Sequence, residues 1–329
     1  MFAFEYIRPA TIEAALSAAN NNQACFIGGG TNLVDLMKGG IERPARLIDI
    51  NHLQLDAIAE LPGGGLRLGS AARNADVANH ALVRQRYPLL SQALLAGASP
   101  QLRNMATVGG NLMQRTRCDY FVDTGFAHCN KRTPGSGCAA REGYNHGHAI
   151  LGASAQCVAV NPSDMNVALL ALDAIIRVRS AQGDREIPIA EFHRLPGEQP
   201  ERDTNMNPGE LIIAVDLPPS RFAQNYYYLK VRERASFAFA LVSVAVGLDL
   251  KDGSIRDARL ALGGVAHKPW LVQDAATLLS GKSLQHADFH AVATVALKDA
   301  RPLTQNAYKI VLAKNAIVRA LRRATQEAA

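Results

Sequence analysis

No stretch of this sequence stays apolar long enough to cross a bilayer. The longest such run, Phe237 to Leu248, is twelve residues and contains Ser243, whereas a spanning helix needs about 20. The first residues, Met1-Phe-Ala-Phe-Glu-Tyr-Ile-Arg8, place no basic stretch ahead of an apolar one, so no export signal is expected. Charge of one sign is also scarce. The 35 Lys and Arg against 29 Asp and Glu leave +6 on 329 residues, too little and too dispersed for a nucleic-acid surface. The densest basic stretch, Lys309 to Arg323, alternates with apolar residues at helical spacing. It reads first as a solvated helix face and second as a docking face. Repeats and low-complexity tracts are missing, as are a Ser/His/Asp arrangement and a metal-hydrolase motif. What remains is 48% hydrophobic and 19% charged, the balance of a globular chain. Its length suggests two domains, possibly three.

The chain opens β-α-β. Thr11 to Asn20 has helical periodicity, with Thr11 placed to cap it and Glu13 in the first turn. Cys25-Phe-Ile and Arg46-Leu-Ile-Asp-Ile read as short strands. The turn Pro62-Gly-Gly-Gly65 starts a region of mixed strands and helices that runs to Leu217, where Pro218-Pro219 marks a boundary. Beyond it, Tyr226 to Val231, Phe237 to Leu250 and Ile255 to Gly263 read as consecutive strands, with a Lys-Asp-Gly turn at 251–253. Helices follow, the last from about Thr304 to Thr325. Strands followed by helices predict an α+β domain over 219–329, after a first domain over 1–218 with sub-parts 1–55 and 56–218.

Two glycine loops bring backbone within reach of an anion. The first is Phe26-Ile27-Gly28-Gly29-Gly30-Thr31-Asn32-Leu33. Its glycines permit positive φ and remove side chains, its successive N–H groups form an anion nest, and a helix starting near Leu33 would add its positive end. It is not a Rossmann fingerprint, because Leu33 stands where the third glycine belongs, and no Gly-Lys-Ser/Thr follows as in a P-loop. The second loop, Thr107-Val-Gly-Gly110-Asn111, repeats the chemistry of hydroxyl, glycines and amide. Singly, each is an ordinary turn. Together they point to a ligand with more than one phosphate.

These two segments, the second taken as Ser99-Pro-Gln-Leu-Arg-Asn-Met-Ala-Thr-Val-Gly-Gly-Asn-Leu112, resemble the FAD-binding signatures of flavin subunits in the xanthine dehydrogenase family. Pro162-Ser-Asp-Met165 before an apolar helix, Gly209-Glu-Leu-Ile-Ile213, and Lys230 in Tyr227-Tyr-Leu-Lys-Val-Arg232 follow in the family's order. The resemblance spans essentially the whole chain. It implies a two-part FAD-binding domain of the vanillyl-alcohol-oxidase type, then the small α+β C-terminal domain of CO dehydrogenase flavoproteins. It also implies that residues 26–33 wrap the pyrophosphate and ribityl chain, completed by Thr107, Gly110 and Asn111. By the same resemblance Asp164 bonds the flavin side of the site, and Ile212 and Lys230 lie near the ring. A lysine there would favour a flavin that gains negative charge on reduction.

Of five cysteines, Cys25 sits in a predicted strand and reads as a small buried hydrophobe. Cys118, Cys129, Cys138 and Cys157 fall in one 40-residue stretch whose middle, residues 129–138, lacks apolar periodicity. A loop of that length needs something to order it. Four thiolates can hold a 4Fe–4S cluster or structural zinc, or they can pair as disulfides. Zinc usually takes close Cys-x-x-Cys pairs, absent here, and disulfides suit an exported chain. Arg115, Arg117, Lys131 and Arg132 would offset a cluster's negative charge. His128, His146 and His148 are nearby spare ligands or plain loop residues. The insert, about 114–157, resembles the cluster-bearing loop of bacterial periplasmic aldehyde oxidoreductase flavin subunits, as do Gln114-Arg-Thr-Arg-Cys118 and Gly263-Gly-Val-Ala-His-Lys-Pro-Trp270. Hydroxybenzoyl-CoA reductase flavin subunits carry a comparable loop.

The resemblance therefore implies the FAD-binding, electron-transfer subunit of a molybdenum-dependent aldehyde oxidoreductase, with no catalytic residue of its own. The implied assembly is a heterotrimer with a large molybdenum-cofactor subunit and a small subunit bearing two 2Fe–2S clusters, which passes electrons through FAD to an external acceptor. The alternatives are a xanthine dehydrogenase or hydroxybenzoyl-CoA reductase subunit, a stand-alone flavin oxidase, and a zinc-stabilised nucleotide-binding module. The expected location is the cytoplasm, or the periplasm by co-export with a signal-bearing partner. Spacing gives no reason to set the insert on an electron path, so its cluster is expected to be structural.

Overall fold

The computed structural model describes residues 1–20 and 23–326. The N-terminal unit is parallel, as β-α-β connections require. Strand β1 (Glu5–Ile7) leads to helix α1 (Ile12–Ala18), then β2 (Ala24–Ile27), helix α2 (Leu33–Lys38) and β3 (Arg46–Asp49). The sheet order is β1-β3-β2, both pairs parallel. Thr11 caps α1, its hydroxyl accepting the Ala14 N–H at 3.2 Å, and Ala15 and Leu16 bury the helix against Ile48.

The second unit begins with β4 (Ile58–Glu60) and β5 (Leu66–Gly69). It runs through the helices α3 (Asn74–Asn79), α4 (Ala81–Arg86), α5 (Pro88–Ala96), α6 (Pro100–Arg103), α7 (Val108–Leu112) and α8 (Asp119–Val122). After the cysteine insert come α9 (Asp164–Ala171), β6 (Ile175–Ser180), β7 (Gly183–Pro188), α10 (Ile189–Phe192) and β8 (Leu211–Leu217). These strands form one antiparallel sheet in the order β4-β5-β8-β6-β7. Proline opens α5 and α6, where a missing N–H costs nothing.

The C-terminal unit is an antiparallel sheet of β9 (Asn225–Val231), β10 (Val242–Lys251), β11 (Ser254–Gly263) and β12 (Trp270–Leu271), in the order β12-β11-β10-β9. Asp252 and Gly253 both take positive φ, at 50° and 74°, as a two-residue hairpin turn demands. Helices α11 (Ala275–Leu279), α12 (Phe289–Ala296) and α13 (Tyr308–Gln326) cover one face. Helix α9, buried on every side, packs between this sheet and α5, so the core of the second unit continues into Tyr228, Ala245 and Ala261. The chain is α+β, as its sequence indicates, and among the described residues no helix is long and apolar enough to cross a membrane.

Two local expectations fail. The strand expected from Phe237 begins only at Val242, because Phe237 takes a positive φ of 49° that ends extended pairing. The Lys309 to Arg323 stretch is not solvated throughout. Lys309 is fully buried, its ammonium donating to the carbonyls of Gly147 (2.9 Å), His148 (2.9 Å) and Gly264 (2.6 Å).

A candidate flavin site between two glycine loops

Strand β2 delivers the chain into Gly28-Gly29-Gly30 beside the 105–107 turn. The two loops are fitted backbone to backbone: a Cβ at Gly29 would lie 1.8 Å from the Met105 carbonyl oxygen, and one at Gly28 2.9 Å from Thr107 Oγ1. Arg73 braces them. It donates to the Met105 carbonyl at 2.5 Å and to Asn51 Oδ1 at 3.0 Å, and Asn51 Nδ2 donates to the Gly28 carbonyl at 3.0 Å. Thr107 Oγ1 accepts the Gly110 N–H at 3.2 Å and so starts α7. A Cβ at Gly110 would meet only that hydroxyl, at 3.0 Å, which leaves this glycine facing open space.

That space is a cavity of about 1020 Å³ lined by Gly29, Gly30, Thr31, Asn32, Gly110, Asn111, Asp164 and Lys230. It lies at the upper end of sizes known for small-molecule sites. Asp164 opens α9 directly after its cap, Ser163, whose hydroxyl accepts the Asn166 N–H at 3.1 Å and donates to Asn111 Oδ1 at 2.7 Å. One Asp164 oxygen accepts from Lys230 Nζ and the other from the Tyr228 hydroxyl, both at 2.7 Å. Lys230 also donates to the Ala96 carbonyl at 3.2 Å. Both partners of this ion pair are nearly buried, at 5% and 8% exposure, so each depends on the other for compensation. Burial pushes the Tyr228 phenol well above its ordinary range, and it stays a donor.

Other residues that the sequence points to stand behind the cavity wall. Phe26 packs in the N-terminal core, Ile27 supports Gly30 from below, Leu33 begins α2, and Gly28 and Thr107 hold the loops together. Ile212 is buried in β8 opposite Val178, in the core rather than the lining. Arg73, Asn51, Ser163 and Tyr228 escaped sequence reasoning, since no local pattern marks a brace made by residues so distant in the chain.

The four insert cysteines converge. Cys129 and Cys138 pair across a backbone bridge, and Cys118 and Cys157 lie close enough that a charge on Cys129 would be felt at both. None forms a disulfide. Among the described residues no three His, Cys, Asp or Glu side chains gather closely enough to hold one metal ion. Burial pushes Cys118 up to about 12 and Cys157 to about 11, so the free thiols are protonated and inert. Cys25, pushed by burial to about 11, is a packed hydrophobe. Of the histidines, His128 bonds the Ser136 carbonyl, and His146 is stacked between Tyr144 and Tyr308. His148 places Nε2 3.1 Å from Cys118 Sγ. Cys118, Tyr144, His146 and His148 line the same cavity as the glycine loops.

A buried charge network ties the insert down. Arg115 donates to Asp203 at 2.7 Å and to Glu42 at 2.6 Å. Lys131, almost wholly buried, pairs with Asp203 and donates to the Pro200 carbonyl at 2.8 Å. Burial would raise the Asp203 carboxyl, but Lys131 and Arg115 outweigh it and hold it at about 2.

With this geometry the chain belongs to the flavin-binding family of the molybdopterin dehydrogenases. Residues 2–220 match the FAD binding domain in molybdopterin dehydrogenase, and residues 227–324 match the CO dehydrogenase flavoprotein C-terminal domain. The chain is 50% identical over 330 residues, 100% of both chains, to the aldehyde oxidoreductase FAD-binding subunit PaoB of Escherichia coli (strain K12). It is 27% identical over 282 residues to the glyceraldehyde dehydrogenase medium chain of Sulfolobus acidocaldarius, 85% of this chain and 82% of that one. Carbon monoxide dehydrogenase from Hydrogenophaga pseudoflava shares the fold, with a TM-score of 0.78 over 100% of this chain and 99% of that one at 23% identity.

FAD fits the residues present. The N–H groups of Gly30, Thr31 and Asn32 have no backbone acceptor among the described residues. Asn32 Oδ1 accepts the Arg115 N–H at 3.2 Å, while its buried Nδ2 lacks an acceptor. A phosphate supplies acceptors for such donors, as at other helix-entry nests.

Proposed function

We propose that this chain is the FAD-binding, electron-transfer subunit of a molybdenum-dependent aldehyde oxidoreductase. The observation that carries the reading is the pair of interlocked glycine loops, whose unpartnered donors open onto a dinucleotide-sized cavity in a chain half identical, end to end, to an aldehyde oxidoreductase FAD-binding subunit. A large molybdenum-cofactor subunit oxidises the aldehyde to the acid, and a small subunit with two 2Fe–2S clusters relays the electrons. FAD, held by the two glycine loops, would supply the exchange between one- and two-electron steps needed to pass electrons on to an external acceptor.

The chain's own residues bind and orient. Gly30, Thr31 and Asn32 offer N–H donors to the pyrophosphate, and Gly110 keeps its wall clear of side chain. The Asp164–Lys230 pair sets a fixed dipole on the flavin side, with Tyr228 and Ala96 preventing either partner from swinging away. Cofactor chemistry of this kind needs orientation and electrostatics from the protein rather than an acid–base machine. The chain reaches its compartment folded, with its partners.

The insert is proposed to hold a 4Fe–4S cluster on Cys118, Cys129, Cys138 and Cys157. The donor set is all sulfur, fourfold and free of disulfides, and Lys131 sits near enough to favour the Cys157 thiolate. Iron, sulfide and FAD analysis of the purified chain tests both assignments. One FAD with four iron and four sulfide is expected, and Cys129→Ser should lose the iron while keeping FAD. A colourless protein removes the whole reading, and FAD without iron removes the cluster alone.

A further inference from the structure

Of the four insert cysteines, Cys118 is the one in the cavity wall. His148 stands beside it there, with Nε2 3.1 Å from Sγ. The imidazole is not free to leave. Lys309 Nζ donates to the His148 carbonyl at 2.9 Å and to the Gly147 carbonyl at 2.9 Å. Asn306 Nδ2 donates to the carbonyls of His148 at 3.1 Å and Ala149 at 3.2 Å. Two fully buried polar side chains from the C-terminal unit thus hold the backbone of residues 147–149. Tyr308 adds a third contact, its hydroxyl donating to the His146 carbonyl at 3.2 Å.

At 3.1 Å one proton must sit between Nε2 and Sγ, because two bare acceptors would repel. In the metal-free chain the thiol supplies it. A sulfur that ligates iron has no proton, so Nε2 must then be the donor. Hydrogen bonds to ligating sulfurs raise a cluster's reduction potential, since they favour the more negatively charged reduced state.

We propose that His148 is a positioning residue that sets the reduction potential of the insert's cluster by donating an Nε2–H hydrogen bond to Cys118 Sγ, at the wall the cluster shares with the flavin cavity. This rests on the 4Fe–4S reading above. It gives the insert a redox role that spacing in the sequence does not suggest, and it explains why the C-terminal unit reaches over to fix residues 146–149.

The test uses the full chain purified alone, as wild type, His148→Phe and His148→Gln, with iron and sulfide content and an EPR-monitored redox titration for each. All three are expected to keep four iron. At the wild-type midpoint the reduced-to-oxidised ratio should fall about tenfold in His148→Phe, which is about 59 mV for a one-electron couple. His148→Gln, which retains an N–H donor, should recover most of it. A wild-type potential in His148→Phe overturns the proposal. Loss of iron in that variant also overturns it, since His148 would then be a ligand or a fold support. A wild-type chain without iron fails the cluster reading itself, and the metal analysis reports that separately.

Discussion

Gly29 and Gly110 look equivalent in the sequence, each in a glycine run near a Thr and an Asn, yet they are glycines for different reasons. Gly110 has open cavity beyond its one close neighbour, the Thr107 hydroxyl at 3.0 Å, so Gly110→Val should lose FAD affinity by more than tenfold with a smaller fall in melting temperature than Gly29→Val. Gly29 faces the Met105 carbonyl at 1.8 Å. Gly29→Val must therefore part the two loops, and both flavin content and melting temperature should fall, the latter by several degrees. Thermal melts alongside flavin absorbance separate the two cases. Both loops and the Asp164 and Lys230 positions were legible in the sequence because they lie in short contiguous motifs. Ile212, expected near the ring from a contiguous motif, is a buried residue of β8 and does not line the cavity. Arg73, Asn51 and Tyr228 were invisible, being joined to the site only by the fold.

Among the elements, the segment from His193 to Asp203 and the turn carrying His267 gather several buried ionisable groups against the insert. Burial holds both His193 and His267 at about 4, against about 6.5 in an unfolded chain. The unfolded state therefore takes up protons first. Stability should be flat above about pH 7 and fall as pH drops from 6.5 to 4, by roughly 1–3 kcal/mol for each histidine. Asp203, held at about 2, adds a second loss between about pH 4 and 2, where the unfolded carboxyl protonates before the folded one. Denaturant melts across pH should show the upper step reduced in His267→Gln, and the lower step reduced by less, because Lys131 and Arg115 still hold Asp203 down. A flat profile through pH 5 would mean that these imidazoles are charged in the fold. The strands of the C-terminal sheet were readable from alternation and from the Lys-Asp-Gly turn. The insert's arrangement was not, because its order comes from Arg115, Lys131 and Lys309 bonding to partners remote in the chain.

At the scale of the whole molecule, the cavity draws on all three units: the first glycine loop from the N-terminal unit, the second with the insert and Asp164 from the middle one, and Lys230 with residues 237–241 from the last. A chain so built gathers its cavity from every unit. The isolated chain should accordingly carry FAD that, once chemically reduced, is reoxidised by an added acceptor. The most direct measurement is anaerobic addition of an aromatic or aliphatic aldehyde to the isolated chain and to the chain copurified with its partners, following the flavin absorbance. The flavin should bleach in the complex within a few turnovers and stay oxidised in the isolated chain. Bleaching in the isolated chain would make it an aldehyde oxidase in its own right, and an unbleached flavin in an intact, molybdenum-loaded complex would remove it from the path of electrons.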